Sequence, residues 1–318
     1  MSHYDVFNGD ADGITSLVQL RLDRPLASTL VTGTKRDNTL LHRVTAGPGD
    51  TVTVLDIAIA QNRPALQQLL AAGARVTWFD HHFAGDVPTH PGFTAHLDLA
   101  PDVCTGVLVD RYLAGRRRPW AVVAAFGDNL LATAHALAQP LGLGADDLAA
   151  LHALGDGITY NAYSDVLADA IVPPADLFRT LLAAGDPMVF VRDDPAYRRI
   201  DEGRRSDLAQ ARAVTPCTRA GRADVYLLPD EPWSRRVRGI FGNEVANAAP
   251  DRAQAVLTVN GRGGYAVSLR APRREPVGAD AVCRQFGGGG GRQAAAGIGD
   301  LPTGDLPSFV AALAARYP

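Results

Sequence analysis

The sequence predicts an α/β protein: a doubly wound parallel sheet followed by a second, smaller mixed α/β domain. Three observations carry this. Short apolar runs alternate with helical patterns over the first 130 residues, as in consecutive βαβ units. The run TVTVLDI at 51–57 is almost wholly apolar, as a strand buried on both faces must be. After a polar, Arg/Asp-rich stretch, strand-like segments return and end in a helical pattern.

The elements follow in order. YDVF at 4–7 is a short strand, and 13–22 a helix with Ile14, Leu17, Val18 and Leu22 near one face. NRPALQQLLAAG at 62–73 reads as a helix with Pro64 early and Gly73 at its end. RVTWFD at 75–80 is the next strand, and residues 103 to about 185 are mainly helical. GDGITYNAYSD at 155–165 reads as a polar loop, in which Tyr160 and Asn161 are weak candidates to face a base or sugar. His90 and His96 read as loop or surface residues. DVYLL, AVLTV and YAVSLR are strands of the second domain, and PSFVAALAARY is its closing helix. The expected organisation is a first domain over 1–185, a partly helical and mostly solvated linker over 186–221, and a second domain over 222–318.

Composition removes whole classes. With 318 residues, about two domains are expected. A 47% hydrophobic, 20% charged chain is neither disordered nor fibrous. A net charge of −3 gives no polybasic coat for long nucleic acid. Thirty of the 31 basic residues are arginine; the exception is Lys35. Cys104, Cys217 and Cys283 lie far apart, form no CxxC and read as buried small hydrophobes in a reducing cytoplasm. No run of about 18 apolar residues predicts a membrane span, and the N-terminus has no signal-peptide pattern.

The chemistry-bearing residues sit where predicted strands end, which is where open α/β sheets place their sites. YDVFNGDADG gives Asp10 and Asp12. TVTVLD gives Asp56. RVTWFD gives Asp80, followed at once by His81 and His82, and a later helix adds Asp128. Carboxylates gathered at one sheet edge repel one another unless a cation is present. Two divalent ions would neutralise four of them, and oxygen donors with imidazole suit Mn²⁺ or Mg²⁺ better than thiolate-loving ions. No P-loop, GxSxG or HExxH motif competes with this reading.

In order and approximate spacing, GDADGITS at 9–16, Asp56, Asp80-His81-His82 and Asp128 resemble the four motifs of the DHH phosphoesterase family. YAVSLR at 265–270 and FGGGGGRQAAAG at 286–297 resemble the DHH-associated domain that follows in two-domain members, so the likeness spans nearly the whole chain. Its length resembles the nanoRNase branch. The resemblance implies a DHH-type fold and an Mn²⁺-dependent phosphoesterase with two ions, Mg²⁺ or Co²⁺ being alternatives. Asp10 and Asp12 would each hold one ion, Asp56 would bridge both, and His81 and Asp128 would complete the donors of the second ion. Asn8 would be a weak ligand. Asp80 would orient an imidazole, and His82 would contact the phosphate. Arg270, the glycine run including Gly288, Gly289, Gly290 and Gly291, and Arg292 would hold the far end of the substrate. Two departures stand out: the first motif has Val6 where many relatives carry histidine and Asn8 where exonuclease-type relatives carry aspartate, and the glycine run ends in Gly291 where relatives often carry histidine.

The implied reaction is hydrolysis of short oligonucleotides or linear or cyclic dinucleotides by a hydroxide bridging two metals. No long duplex and no membrane are expected as partners, and a homodimer is compatible. The same metal pair would serve a phosphomonoesterase or a pyro- or polyphosphatase, and the departures at Asn8 and Gly291 would suit a catalytically weak nucleotide sensor.

Overall fold

The β-branched and aromatic runs at the start of the chain form one parallel sheet. Its strands are β1 (His3–Phe7), β2 (Thr29–Thr32), β3 (Thr51–Leu55), β4 (Arg75–Asp80) and β5 (Phe93–Leu97). Their order is β2-β1-β3-β4-β5, with Val6 opposite Val54 and Val54 opposite Trp78. Val6, Val54, Leu55, Trp78 and Phe79 are buried, which accounts for the nearly continuous apolar character of the central strands. The strand order reverses at the β1/β3 boundary, so the C-terminal ends of those strands flank the crevice where such sheets place their ligands. These details come from a computed structural model that describes residues 1–164 and 166–318.

The chain divides into two units, Met1–Glu202 and Gly203–Pro318. The helices of the first are α1 (Ala11–Asp23), α2 (Ile59–Ala71), α3 (Thr105–Tyr112), α4 (Arg118–Gly127), α5 (Leu131–Ala138), α6 (Ala145–Ala162), α7 (Pro174–Ala184) and α8 (Pro187–Asp193). The boundary falls within α9 (Pro195–Arg212). The segment 186–221, read above as a partly helical linker, thus carries α8, most of its remainder in α9, and the short strand β6 (Thr218–Ala220).

Small residues let the helices of the first unit approach closely. A Cβ on Gly106 would strike Ala124, and one on Gly127 would strike Ala11 and lie 2.9 Å from Thr159 Oγ1. Helix α1 consequently sinks so deep that Thr15, Ser16 and Gln19 are buried with its apolar residues.

The second unit is a mixed sheet of β6, β7 (Ala223–Leu228), β8 (Ala253–Val259), β9 (Tyr265–Arg270), β10 (Gly289–Gly291) and β11 (Ala295–Leu301). The order is β10-β11-β9-β8-β7-β6. Only β7 and β8 pair in parallel, joined through α10 (Pro232–Ala248); the other neighbours are antiparallel. Short α11 (Ala279–Cys283) and terminal α12 (Leu306–Arg316) complete it, with Phe309, Leu313 and Tyr317 packed into a core with Val225, Leu257, Val267 and Leu269.

Several local expectations are corrected. TLVT at 29–32 and FTAHL at 93–97 are strands, too short or too mixed to announce themselves; His96 therefore lies on β5, stacked against Phe79. Helix α2 starts at Ile59 rather than 62, so Pro64 stands inside it and removes one intrahelical bond. Residues 155–162 are not a loop. They form the last turns of α6, and Tyr160 and Asn161 are fully buried. The Asn161 amide holds both the N–H and C=O of Val172, at 3.0 and 2.7 Å, which explains a polar residue in the core. Asp165, the end of that stretch, lies outside the described residues. Cys104 and Cys283 are buried, but Cys217 is exposed. The glycine run is not all loop: Gly289–Gly291 is the edge strand β10, pairing Gly290 with Gly297.

Candidate metal centre

Turn chemistry at the end of β1 places the first two acids. Asp10 caps α1, its Oδ1 accepting the Gly13 N–H at 3.1 Å. Glycine is required at 9 and 13, since a Cβ would strike the Gly33 and Asn8 carbonyls respectively. Asp12 follows in the first turn of α1. Its Oδ2 accepts the Thr105 N–H at 2.8 Å and its Oδ1 the Gly106 N–H at 2.7 Å, so it anchors the N-terminus of α3. Asp56 leaves β3 in a left-handed backbone conformation, φ 58°, and accepts the Thr105 hydroxyl at 3.2 Å. Asp80 is the last residue of β4, and Asp128 follows the last turn of α4.

These residues meet at one imidazole. His81 Nε2 lies 3.5 Å from Asp56 Oδ1, 3.7 Å from Asp128 Oδ2 and 3.8 Å from Asp12 Oδ2. Two overlapping donor groups result, Asp12-His81-Asp128 and Asp56-His81-His82, each with ligand atoms within 4.8 Å of one another. His82 Nδ1 contacts Asp80 Oδ1 at 2.7 Å and lies 3.9 Å from Asp56 Oδ1.

The electrostatics follow from burial and from like charge. Asp10, Asp12, Asp56 and Asp80 are each at most 3% exposed. Burial, then the Asp12, Asp10, Asp128 and Asp80 charges, push the Asp56 carboxyl well above its ordinary range. Burial and Asp128 raise Asp12 as well, against the pull of His81. Asp10 goes the other way: burial acts to raise it, but Lys35 more than compensates. Burial would lower His82, yet its bond to Asp80 and the surrounding carboxylates raise it. Burial and the Asp12 charge push the Cys104 thiol far up, so no thiolate chemistry is available there.

Lys35 is a site residue that motif reading missed. Its ammonium contacts Asp10 Oδ2 and lies 3.8 Å from Asp128 Oδ1. The available signal was its rarity among so many arginines. Thr105 was also missed, because the TG start of α3 matches no motif. Asn8, expected as a weak ligand, spends its side chain on backbone: Oδ1 accepts the Asp10 N–H at 3.2 Å, and Nδ2 donates to the Lys35 carbonyl at 3.3 Å.

The other expected contacts belong to the second unit. Arg270 ends β9, its guanidinium bonded to Asn243 Oδ1 at 2.6 Å, Ser268 Oγ at 3.0 Å and the Gly239 carbonyl at 3.4 Å. Gly288 has φ 72° and precedes β10; Gly289, Gly290 and Gly291 form that strand. Arg292 is exposed in the turn between β10 and β11.

The donor set fits divalent ions of the Mn²⁺ or Mg²⁺ class: carboxylate oxygens, imidazole nitrogen and no thiolate ligand. Asp80 Oδ2 is buried without a hydrogen-bond partner, and three carboxylates crowd one ring nitrogen, an arrangement that a cation relieves.

No protein-family model and no curated protein matches the chain. Solved structures do. The whole chain superposes on 91% of an exonuclease RecJ bound to manganese, at 19% identity and TM-score 0.62. It also superposes on 52% of RecJ in complex with Mn²⁺ from Thermus thermophilus, at 20% identity and TM-score 0.62. PggH, a pGpG-specific phosphodiesterase from Vibrio cholerae, is matched over 99% of its length at 12% identity and TM-score 0.54. At these identities the likeness is one of fold, and the fold is the DHH type that the motifs led one to expect.

Proposed function

We propose that this chain, a DHH-type protein by fold, is a metal-dependent phosphoesterase that hydrolyses phosphodiester bonds in short oligonucleotides or in linear or cyclic dinucleotides. The observation that carries this reading is the convergence of Asp12, Asp56 and Asp128 on His81 Nε2 at the switch point of the sheet. Asp10, Asp12, Asp56, His81 and Asp128 would hold two divalent ions, for which Mn²⁺ is our choice. When bound, such ions supply positive charge to the phosphate and lower the pKa of a water.

The chain's own groups do the rest. Asp80 fixes the His82 ring through Nδ1. His82 is 44% exposed and keeps its proton readily, so it suits a role holding a phosphate oxygen. Asp12 is fixed by two backbone amides, which makes its position independent of the ions. Phe83 directly follows His82 and is 76% exposed. A bare aromatic ring beside the site suits stacking on a nucleobase, and this favours a nucleotide over an inorganic chain. In the second unit, Arg270, Arg292 and the Gly288–Gly291 segment remain our candidates for contacts to substrate. Three free thiols suit work in a reducing compartment. Among the described residues, no helix is long and apolar enough to cross a membrane.

The test is hydrolysis of a panel holding pApA, a five-residue RNA, a cyclic dinucleotide, 3′-phosphoadenosine 5′-phosphate and pyrophosphate, with Mn²⁺ and with chelator. Mn²⁺-dependent cleavage of the dinucleotide, lost in Asp56→Asn, is expected. Cleavage of the monoester or pyrophosphate alone would overturn the phosphodiester assignment.

A further inference from the structure

We infer that Lys35 is a built-in counter-ion that occupies one of the two cation positions, so that the centre takes up its two metal ions unequally. This rests on the metal centre proposed above and concerns how that centre fills.

The ammonium sits among the acids, not beside them. It contacts Asp10 Oδ2 and lies 3.8 Å from Asp128 Oδ1. Asp128 is therefore divided: Oδ1 faces Lys35, while Oδ2 lies 3.7 Å from His81 Nε2. The Asp12-His81-Asp128 group can close around an ion using Oδ2 without disturbing the lysine. The Asp10 side cannot. Asp10 Oδ1 already caps α1, and Oδ2 carries the ammonium. A carboxylate oxygen can accept an amide N–H and bind a metal together, since it has lone pairs for both. It does not readily hold an ammonium and a divalent ion at once, because the two cations repel at contact distance. A metal ion on Oδ2 must therefore displace Lys35, and one on Oδ1 must bind against the charge of the ammonium, so this position fills less readily.

The rest of the residue is built for that exchange. Its backbone is fixed at both ends, the N–H on the Ala162 carbonyl at 2.9 Å and the C=O on Asn8 Nδ2 at 3.3 Å. Only the four-carbon stem needs to move. The Tyr163 ring, with its centroid 5.5 Å from the ammonium, offers a face to which the charge can retreat. A compact ammonium on a flexible stem suits this role, whereas a planar guanidinium would clamp the carboxylate. In a chain that otherwise uses arginine for every cation, the one lysine stands at this point.

Mn²⁺ titration of the metal-free protein by calorimetry, with bound ions counted by native mass spectrometry, tests this. The wild type is expected to bind one ion tightly and a second at least about tenfold more weakly, a gap of roughly 1.4 kcal/mol. In Lys35→Met the second ion should tighten by about tenfold, closing the gap. Lys35→Arg, which keeps the charge and serves as the folded control, should leave the second ion weak. Two equal ions in the wild type, or a second ion that is unchanged or weaker in Lys35→Met, would overturn the role of Lys35 while leaving the metal centre standing. A wild type that binds no ion would overturn the centre itself, and this inference with it.

Discussion

His82 Nδ1 lies 2.7 Å from Asp80 Oδ1, so the last residue of β4 holds the ring of its next neighbour but one. Burial opposes the charged ring, but this bond and the nearby carboxylates win and raise its pKa. A raised folded-state value stabilises the protein fully below the unfolded value near 6.5, and the gain is lost as pH rises through the folded value. Asp80→Asn should therefore move the His82 titration to lower pH in chelated protein, read by NMR of its ring carbon. Activity should fall by about 10- to 100-fold, the usual cost of losing such a support. An unmoved titration would refute the coupling.

Asp56 is shifted in the same direction, but there it is the neutral form that the fold favours. Burial and four neighbouring acids raise its pKa, so its ionised form costs stability. The cost is absent at acid pH, grows as pH rises above the unfolded value near 3.8, and is complete above the folded value. Asp56→Asn should flatten this decline in chelated protein, measured as urea midpoints between about pH 4 and 8. The left-handed φ of 58° adds a second outcome. Asparagine tolerates that conformation and alanine does not, so Asp56→Ala should be less stable than Asp56→Asn by about 1–2 kcal/mol. Both variants should be inactive.

Divalent ions should stabilise the folded chain by mass action. At a hundredfold excess over Kd the gain is about 2.7 kcal/mol, visible as a higher Tm. His81→Ala removes the nitrogen shared by both donor groups and should abolish that rise. A rise of equal size in His81→Ala would place the ion elsewhere.

Gly127 precedes Asp128 and packs against α1 and α6. Gly127→Ala should cost about 1–3 kcal/mol by overpacking. It should also weaken Mn²⁺ binding, because the shift needed to admit a methyl group displaces Asp128. Denaturation and calorimetry on one sample check both effects.

The central strands, the major helices and the acids Asp10, Asp12, Asp56 and Asp80 were readable because each follows a local rule: apolar runs for buried strands, and Asp or His at strand ends for the candidate site. What was hidden depended on distant partners. Asn161 looked like a loop residue because its two bonds go to Val172, and the sequence does not mark that pairing. The break at Asp128 was masked by apolar residues on both sides of it; Asn129, at φ 61°, supplies the turn that separates α4 from α5. Lys35 lies between β2 and β3, far in sequence from every motif, and reaches Asp10 only because β2 pairs with β1. The glycine run suggested a phosphate cradle, yet most of it pairs as a strand, a choice set by β11 rather than by its own composition.

Asp10 and Asp12 each serve two masters. One caps α1 and the other holds the first amides of α3, so the architecture needs them whether or not a reaction takes place. If the chain carries out the proposed hydrolysis, a descendant that abandoned it would be under pressure to keep both. The GDADG signature by itself is then a record of how the chain folds. His81 and Asp128, which bear no comparable structural duty, are the positions whose loss would announce that the chemistry had gone.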